Sequence, residues 1–169
     1  SLMVNEEKKV ILEEAANKED AEKNQESDKK PKGKEEGKEE EKNEEEVELL
    51  NVLIIDDSKA LRKAITRYIQ HKFYCNIFEA DNGKEGLQII AEKKGNIKLI
   101  LCDLMMPVMD GMTFMKTLRS NTALQGIPVI FLTAKNDSET VKKCIGLGAS
   151  DFIVKPYDLV AISKKITKF

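Results

Sequence analysis

Apolar residues along this chain fall into two kinds of run. Short blocks, Val52-Leu53-Ile54-Ile55, Cys75-Asn76-Ile77-Phe78-Glu79-Ala80, Leu99-Ile100-Leu101-Cys102, Ile127-Pro128-Val129-Ile130-Phe131-Leu132 and Asp151-Phe152-Ile153-Val154, are separated by longer stretches with apolar residues three or four apart. A block without polar alternation suits a strand buried on both faces, and the longer spacing suits an amphipathic helix. Ser58 caps a predicted helix running to about His71, with Leu61, Ala64, Ile65, Tyr68 and Ile69 along its apolar side. Asn82 followed by Glu85 resembles a capping box, and Leu87, Ile90 and Ala91 supply that helix's apolar face. Asp110 opens a third helix through Met112, Phe114, Met115 and Leu118, and Asn136-Asp137-Ser138 a fourth through Val141, Cys144 and Ile145. A fifth carries Leu159, Ile162, Ile166 and Phe169. Strands alternating one for one with helices imply the α/β class, a five-stranded parallel sheet with helices on both faces.

Charge divides the chain. Residues 1–46 hold 17 acidic residues against 10 lysines, and residues 47–169 hold 13 acidic against 18 basic residues. The first segment is rich in Glu, Lys and Asn and has no aromatic residue, so it lacks the apolar surface that would offset the entropy of ordering. It reads as a charged, disordered tail, with one short helix predicted over Val10–Ala16; as a functional element it would be an acidic arm for a basic partner. Residues 47–169 read as one domain. Its net positive charge is spread out and comes without a reading motif, so direct nucleic-acid binding is not expected. Cys75, Cys102 and Cys144 are odd in number and lack metal-ligand spacing, which suits reduced, buried thiols. With no apolar run of 18 residues and no apolar leader, neither membrane association nor export is expected, and a cytoplasmic location follows.

What closes each strand carries the chemistry. Strand one ends in Asp56-Asp57, strand three in Asp103, strand four in Thr133 and strand five in Lys155. In a parallel sheet these ends share one edge, where open α/β sheets bind ligands. Any single Asp there is an ordinary cap or turn residue, but the full set at successive strand ends is not explained by capping. Three crowded carboxylates repel one another unless a cation joins them, and Mg2+ favours such hard oxygen ligands. A lysine and a hydroxyl beside them suit phosphoryl oxygens, and a carboxylate can itself be a nucleophile.

The motifs Ile54-Ile55-Asp56-Asp57-Ser58, Asp103-Leu104-Met105-Met106-Pro107 with Met109-Asp110-Gly111, Leu132-Thr133-Ala134 and Lys155-Pro156 stand in order across residues 47–169. This part of the chain resembles the receiver domain of two-component response regulators, with the organisation of the single-domain chemotaxis regulators. The resemblance implies a flavodoxin-like fold with strand order 2-1-3-4-5. It implies that Asp103 accepts a phosphoryl group from a sensor histidine kinase or phosphotransfer protein. Mg2+ would be held by Asp56, Asp57, Asp103 and the Met105 carbonyl, while Lys155 meets the phosphoryl oxygens. Thr133 and Phe152 would form the switch toward a downstream protein partner, with Phe152 lacking the hydroxyl of members that carry Tyr. Met105 and Lys135 would flank the water that removes the phosphoryl group. The resemblance implies a signalling phosphoacceptor whose catalysis is confined to its own phosphorylation and dephosphorylation. No output domain follows the last helix, so the chain reads as a stand-alone receiver or a fragment. A haloacid-dehalogenase-like phosphatase would place its acids as Asp-x-Asp, and a degenerate receiver would lack the acceptor or the lysine.

Overall fold

The computed structural model describes residues 49–134 and 138–169. The elements run β1 (Leu50–Ile55), α1 (Lys59–Lys72), β2 (Cys75–Ala80), α2 (Gly83–Glu92), β3 (Leu99–Asp103), α3 (Gly111–Ser120), β4 (Val129–Thr133), α4 (Ser138–Gly146), β5 (Asp151–Val154) and α5 (Leu159–Ile166). All strand pairs are parallel, in the order β2-β1-β3-β4-β5. This is the expected doubly wound sheet. The predicted helix over Val10–Ala16, the boundary at residues 46 and 47, Lys135, and the start of the fourth helix at Asn136 and Asp137 lie outside the described residues.

Three helices begin at the caps read from the sequence, and α5 begins at a further one, Asp158. The side chains of Ser58, Asn82, Asp110 and Asp158 each accept a backbone N–H from the first turn of their helix. Glu85 reaches back to the Asp81 N–H, one position before the expected capping-box partner. The pattern missed a 3-10 turn at Thr122–Leu124, which Asn121 caps from the end of α3.

Along each central strand, alternate residues enter different layers. Leu53, Ile55, Ile100, Cys102, Val129 and Phe131 pack with Ile90 of α2, Phe114, Met115 and Leu118 of α3, and Cys144 of α4. Val52, Ile54, Leu99, Leu101, Ile130 and Leu132 pack with Ile65 and Ile69 of α1 and Ile162 and Ile166 of α5.

The helical faces differ in detail from the pattern. On α1 the buried side is Arg62, Ile65, Thr66 and Ile69, while Leu61 and Ala64 face outward. Ala91 of α2 and Ile145 of α4 are exposed as well. Cys102 and Cys144 are buried free thiols, and Cys75 is half-buried. Among the described residues no helix is long and apolar enough to cross a membrane.

Candidate acidic phosphoacceptor site

Strand register builds the site. Ile55 of β1 lies opposite Cys102 of β3, so Asp56 leaves the sheet beside Asp103. Asp103 lies opposite Leu132, which places Thr133 one step further out. Thr133 lies opposite Val154, and the next residue is Lys155, whose N–H donates to the Thr133 carbonyl at 2.7 Å. The edge therefore gathers residues that are up to 99 positions apart in the chain.

Asp56 is fully buried and held from several sides. Its N–H donates to the Ala80 carbonyl at 3.1 Å, its Oδ1 accepts the Ser58 N–H at 2.8 Å, and its Oδ2 meets Lys155 Nζ at 3.1 Å. Lys155 Nζ also reaches Asp103 Oδ2 at 3.2 Å, while Asp103 Oδ1 accepts the Met105 N–H at 3.3 Å. Asp57 is exposed, and carboxylate oxygens of Asp56, Asp57 and Asp103 lie within 4.8 Å of one another. These hard oxygen donors, clustered and partly open to solvent, fit a divalent cation of the Mg2+ type. No sulfur or imidazole takes part in this cluster.

Burial pushes the Asp103 carboxyl above the ordinary aspartate value. Lys155 opposes the shift, the neighbouring Asp56 adds to it, and the Met105 N–H opposes it. Lys155 shows the complementary balance. Burial pulls it down, but Asp103 and Asp56 outweigh burial and hold the ammonium above the usual lysine value. Cys102, next to Asp103, is driven well up by burial and then by Asp103, Asp56 and Asp110, so its thiol stays protonated and is a poor nucleophile.

The loop after β3 is tightly folded onto Asp103. Gly111 N–H donates to the Leu104 carbonyl at 3.0 Å, and a Cβ on Gly111 would lie 2.3 Å from the Asp103 carbonyl oxygen. Met109 N–H returns to the Pro107 carbonyl at 2.7 Å across Val108, whose φ is 67°.

Of the residues read from the sequence, Asp56, Asp57, Asp103 and Lys155 come together, and Thr133 is buried at the end of the adjoining strand. The Met105 side chain is exposed at the rim. Phe152 lies three residues back along β5, opposite Phe131 and half-buried against the α2–α4 layer, away from the acids. Pattern reading missed Arg62. It is buried, and its guanidinium donates to the Asp56 main-chain carbonyl. Its spacing of three, four and seven from Ile65, Thr66 and Ile69 is the signal for its inward position.

Comparison with known proteins agrees with this geometry. A family model for the response regulator receiver domain matches residues 52–167. The transcriptional regulatory protein CrdR of Helicobacter pylori is 33% identical over 118 residues, which cover 70% of this chain and 54% of CrdR, so the chain spans about half of that relative. The chemotaxis protein CheY-3 of Vibrio cholerae is 29% identical over 119 residues, covering 70% of this chain and 90% of CheY-3. Among solved structures, Vibrio cholerae CheY4 aligns with a TM-score of 0.66 at 26% identity, covering 72% of this chain and 98% of CheY4. A chain of the CheX–CheY–BeF3–Mg complex of Borrelia burgdorferi aligns with a TM-score of 0.65 at 31% identity, covering 70% of this chain and 87% of its own length. With the strand order, the acidic edge and the lysine all in register, the chain belongs to the response regulator receiver domains, the signalling phosphoacceptors of two-component systems.

Proposed function

We propose that residues 47–169 act as the receiver and that Asp103 is its phosphoacceptor, taking the phosphoryl group from a phosphohistidine on a sensor kinase or phosphotransfer protein. The observation that carries this assignment is the joint contact of Lys155 with Asp56 and Asp103 within an acidic cluster 4.8 Å across. Asp56, Asp57, Asp103 and the Met105 carbonyl hold Mg2+, which supplies positive charge against the phosphoryl oxygens. Asp103 provides the attacking carboxylate oxygen. The half-buried Lys155 ammonium stands ready to leave Asp103 and meet the incoming charge, a role for which its raised proton affinity suits it.

Thr133 and Phe152 carry the switch. A phosphoryl group on Asp103 offers the Thr133 hydroxyl a charged acceptor that exists only in the phosphorylated state, and a differential contact of that kind moves a conformational equilibrium. Phe152 then turns further inward at no polar cost, presenting the α4–β5–α5 face to a downstream protein. The free thiols support a reducing, cytoplasmic setting for the domain. Residues 1–46, rich in Glu and Lys, precede it in the chain. The BeF3 and Mg in the Borrelia burgdorferi complex support the same anion and cation chemistry here, and its CheX–CheY pairing supports a protein as a partner.

Incubation with acetyl phosphate and Mg2+ followed by intact-mass measurement tests the acceptor. The expected result is one added phosphoryl group, lost in Asp103→Asn and retained in Asp110→Asn. Absence of labelling in the wild type would instead mark a degenerate receiver that works only by binding, and undiminished labelling of Asp103→Asn would move the acceptor elsewhere.

A further inference from the structure

We propose that Arg62 is a positioning residue of the acidic site: its guanidinium fixes the plane of the Asp56–Asp57 peptide and thereby aims the two carboxylates. The inference rests on those carboxylates holding the metal as proposed above.

Helical side chains lean toward the N-terminus of their helix, so Arg62, in the first turn of α1, reaches back over the helix start. There Nη1 donates to the Asp56 carbonyl, Nη2 meets Asp81 Oδ1 at 2.6 Å, and Nε meets Glu79 Oε2 at 3.4 Å. Glu79 is itself held by Thr66 Oγ1 at 3.0 Å and Lys63 Nζ at 3.1 Å. The guanidinium is thus anchored to β2 and the loop after it, and turns Nη1 to main chain rather than to a third carboxylate.

The carbonyl it holds belongs to the peptide that joins Asp56 to Asp57. Because a peptide is planar, fixing that oxygen fixes the direction in which Asp57 departs. Asp56 is otherwise secured through Ala80, Ser58 and Lys155, whereas Asp57 is exposed, so its aim depends most on the peptide plane. A lysine at this position keeps the charge but lacks the planar fork that serves acceptors in different directions at once.

The test compares wild type, Arg62→Lys, Arg62→Met, Asp81→Asn and Lys63→Ala in the full chain. Mg2+ affinity is read by amide NMR titration, the phosphorylation rate by acetyl phosphate at graded Mg2+, and folding by thermal melting. Loss of an outer partner of a metal ligand weakens affinity by about tenfold or more, and that shift is expected for both Arg62 variants. A smaller shift in the same direction is expected for the exposed Asp81→Asn, which removes one anchor and folds even where Arg62→Met does not. At saturating Mg2+ the phosphorylation rate of Arg62→Lys returns to the wild-type level. Lys63→Ala, which touches Glu79 but not the Asp56 carbonyl, leaves Mg2+ affinity unchanged. Lowered melting temperatures with unchanged Mg2+ affinity in the Arg62 variants would reduce Arg62 to a structural strut and overturn the proposal. A wild type without saturable Mg2+ binding would instead overturn the metal site itself.

Discussion

Replacing Gly111 by alanine isolates how closely the third helix is pressed onto the end of β3. The added Cβ would lie 2.3 Å from the Asp103 carbonyl oxygen and 2.9 Å from Leu104 Cα, both main-chain atoms that cannot swing aside. Ordinary contact begins near 3.4 Å, so the end of β3 and the start of α3 must separate by roughly 1 Å in an interior packed to crystal-like density. Overpacking of this kind costs about 1–3 kcal/mol, and rigid backbone neighbours place the site at the upper end. Alanine's advantage over glycine in a helix returns about 1 kcal/mol. The net loss is about 2 kcal/mol, which for a domain of this size lowers the melting temperature by about 8 °C. Gly146, the last residue of α4, has nothing within 4 Å of its would-be Cβ, so Gly146→Ala feels only the entropy gain and melts a few degrees higher, about 2–4 °C. Thermal melting of both variants by circular dichroism reads the opposite signs directly. Because the displaced oxygen is that of Asp103, Gly111→Ala also slows phosphorylation from acetyl phosphate, by about tenfold or more for a shift near 1 Å. A Gly111→Ala protein that melts at or above the wild type would refute the close approach and the ordering of energies built on it.

Three further outcomes are expected. Val108 is 79% exposed and carries its φ of 67° within a three-residue turn, a strained conformation costing a β-branched residue about 1–3 kcal/mol, so Val108→Gly is more stable by about 1 kcal/mol in urea unfolding even after glycine's entropic cost. Burial alone would raise the Asp151 carboxyl, but it is held below 3.8 by Lys165 at 2.8 Å, the Phe152 N–H and Lys168; the stabilisation is therefore present above 3.8 and disappears as pH falls through the folded value. Lys165→Met accordingly loses about 1 kcal/mol at pH 7, and urea unfolding at stepped pH shows its difference from wild type shrinking below pH 3.8, a gap constant with pH being the contrary result. Met105 offers no strong hydrogen bond to an attacking water and protonated Lys135 cannot act as a base, so Met105→Asn with Lys135→Glu sheds phosphate faster than wild type in a mass-resolved time course.

The chain's local chemistry wrote the order of elements and the identity of the acids. Caps such as Ser58, Asn82 and Asp110 act within a single turn, and the unbroken apolar runs of β1, β3 and β4 declare strands covered on both faces. Asp56, Asp57, Asp103 and Lys155 were legible because each interrupts such a run, or directly follows one, where the strand leaves the sheet. Only the tertiary structure decided what those runs could not express. A uniformly apolar strand contains no sign of which layer each residue joins, so the division between the α1/α5 core and the α2–α4 core comes from packing alone. Parallel register, which depends on neighbours far along the chain, brought Lys155 to within 3.1 Å of Asp56. Arg62 reads as solvated by composition and Leu61 as core. The fold reverses them because the end of β1 and the acids at the end of β2 demand a buried cation there, while the first turn of α1 overhangs the rim of the site. Long-range partners, not local propensity, decide the side on which a helix residue falls once a buried carbonyl must be satisfied.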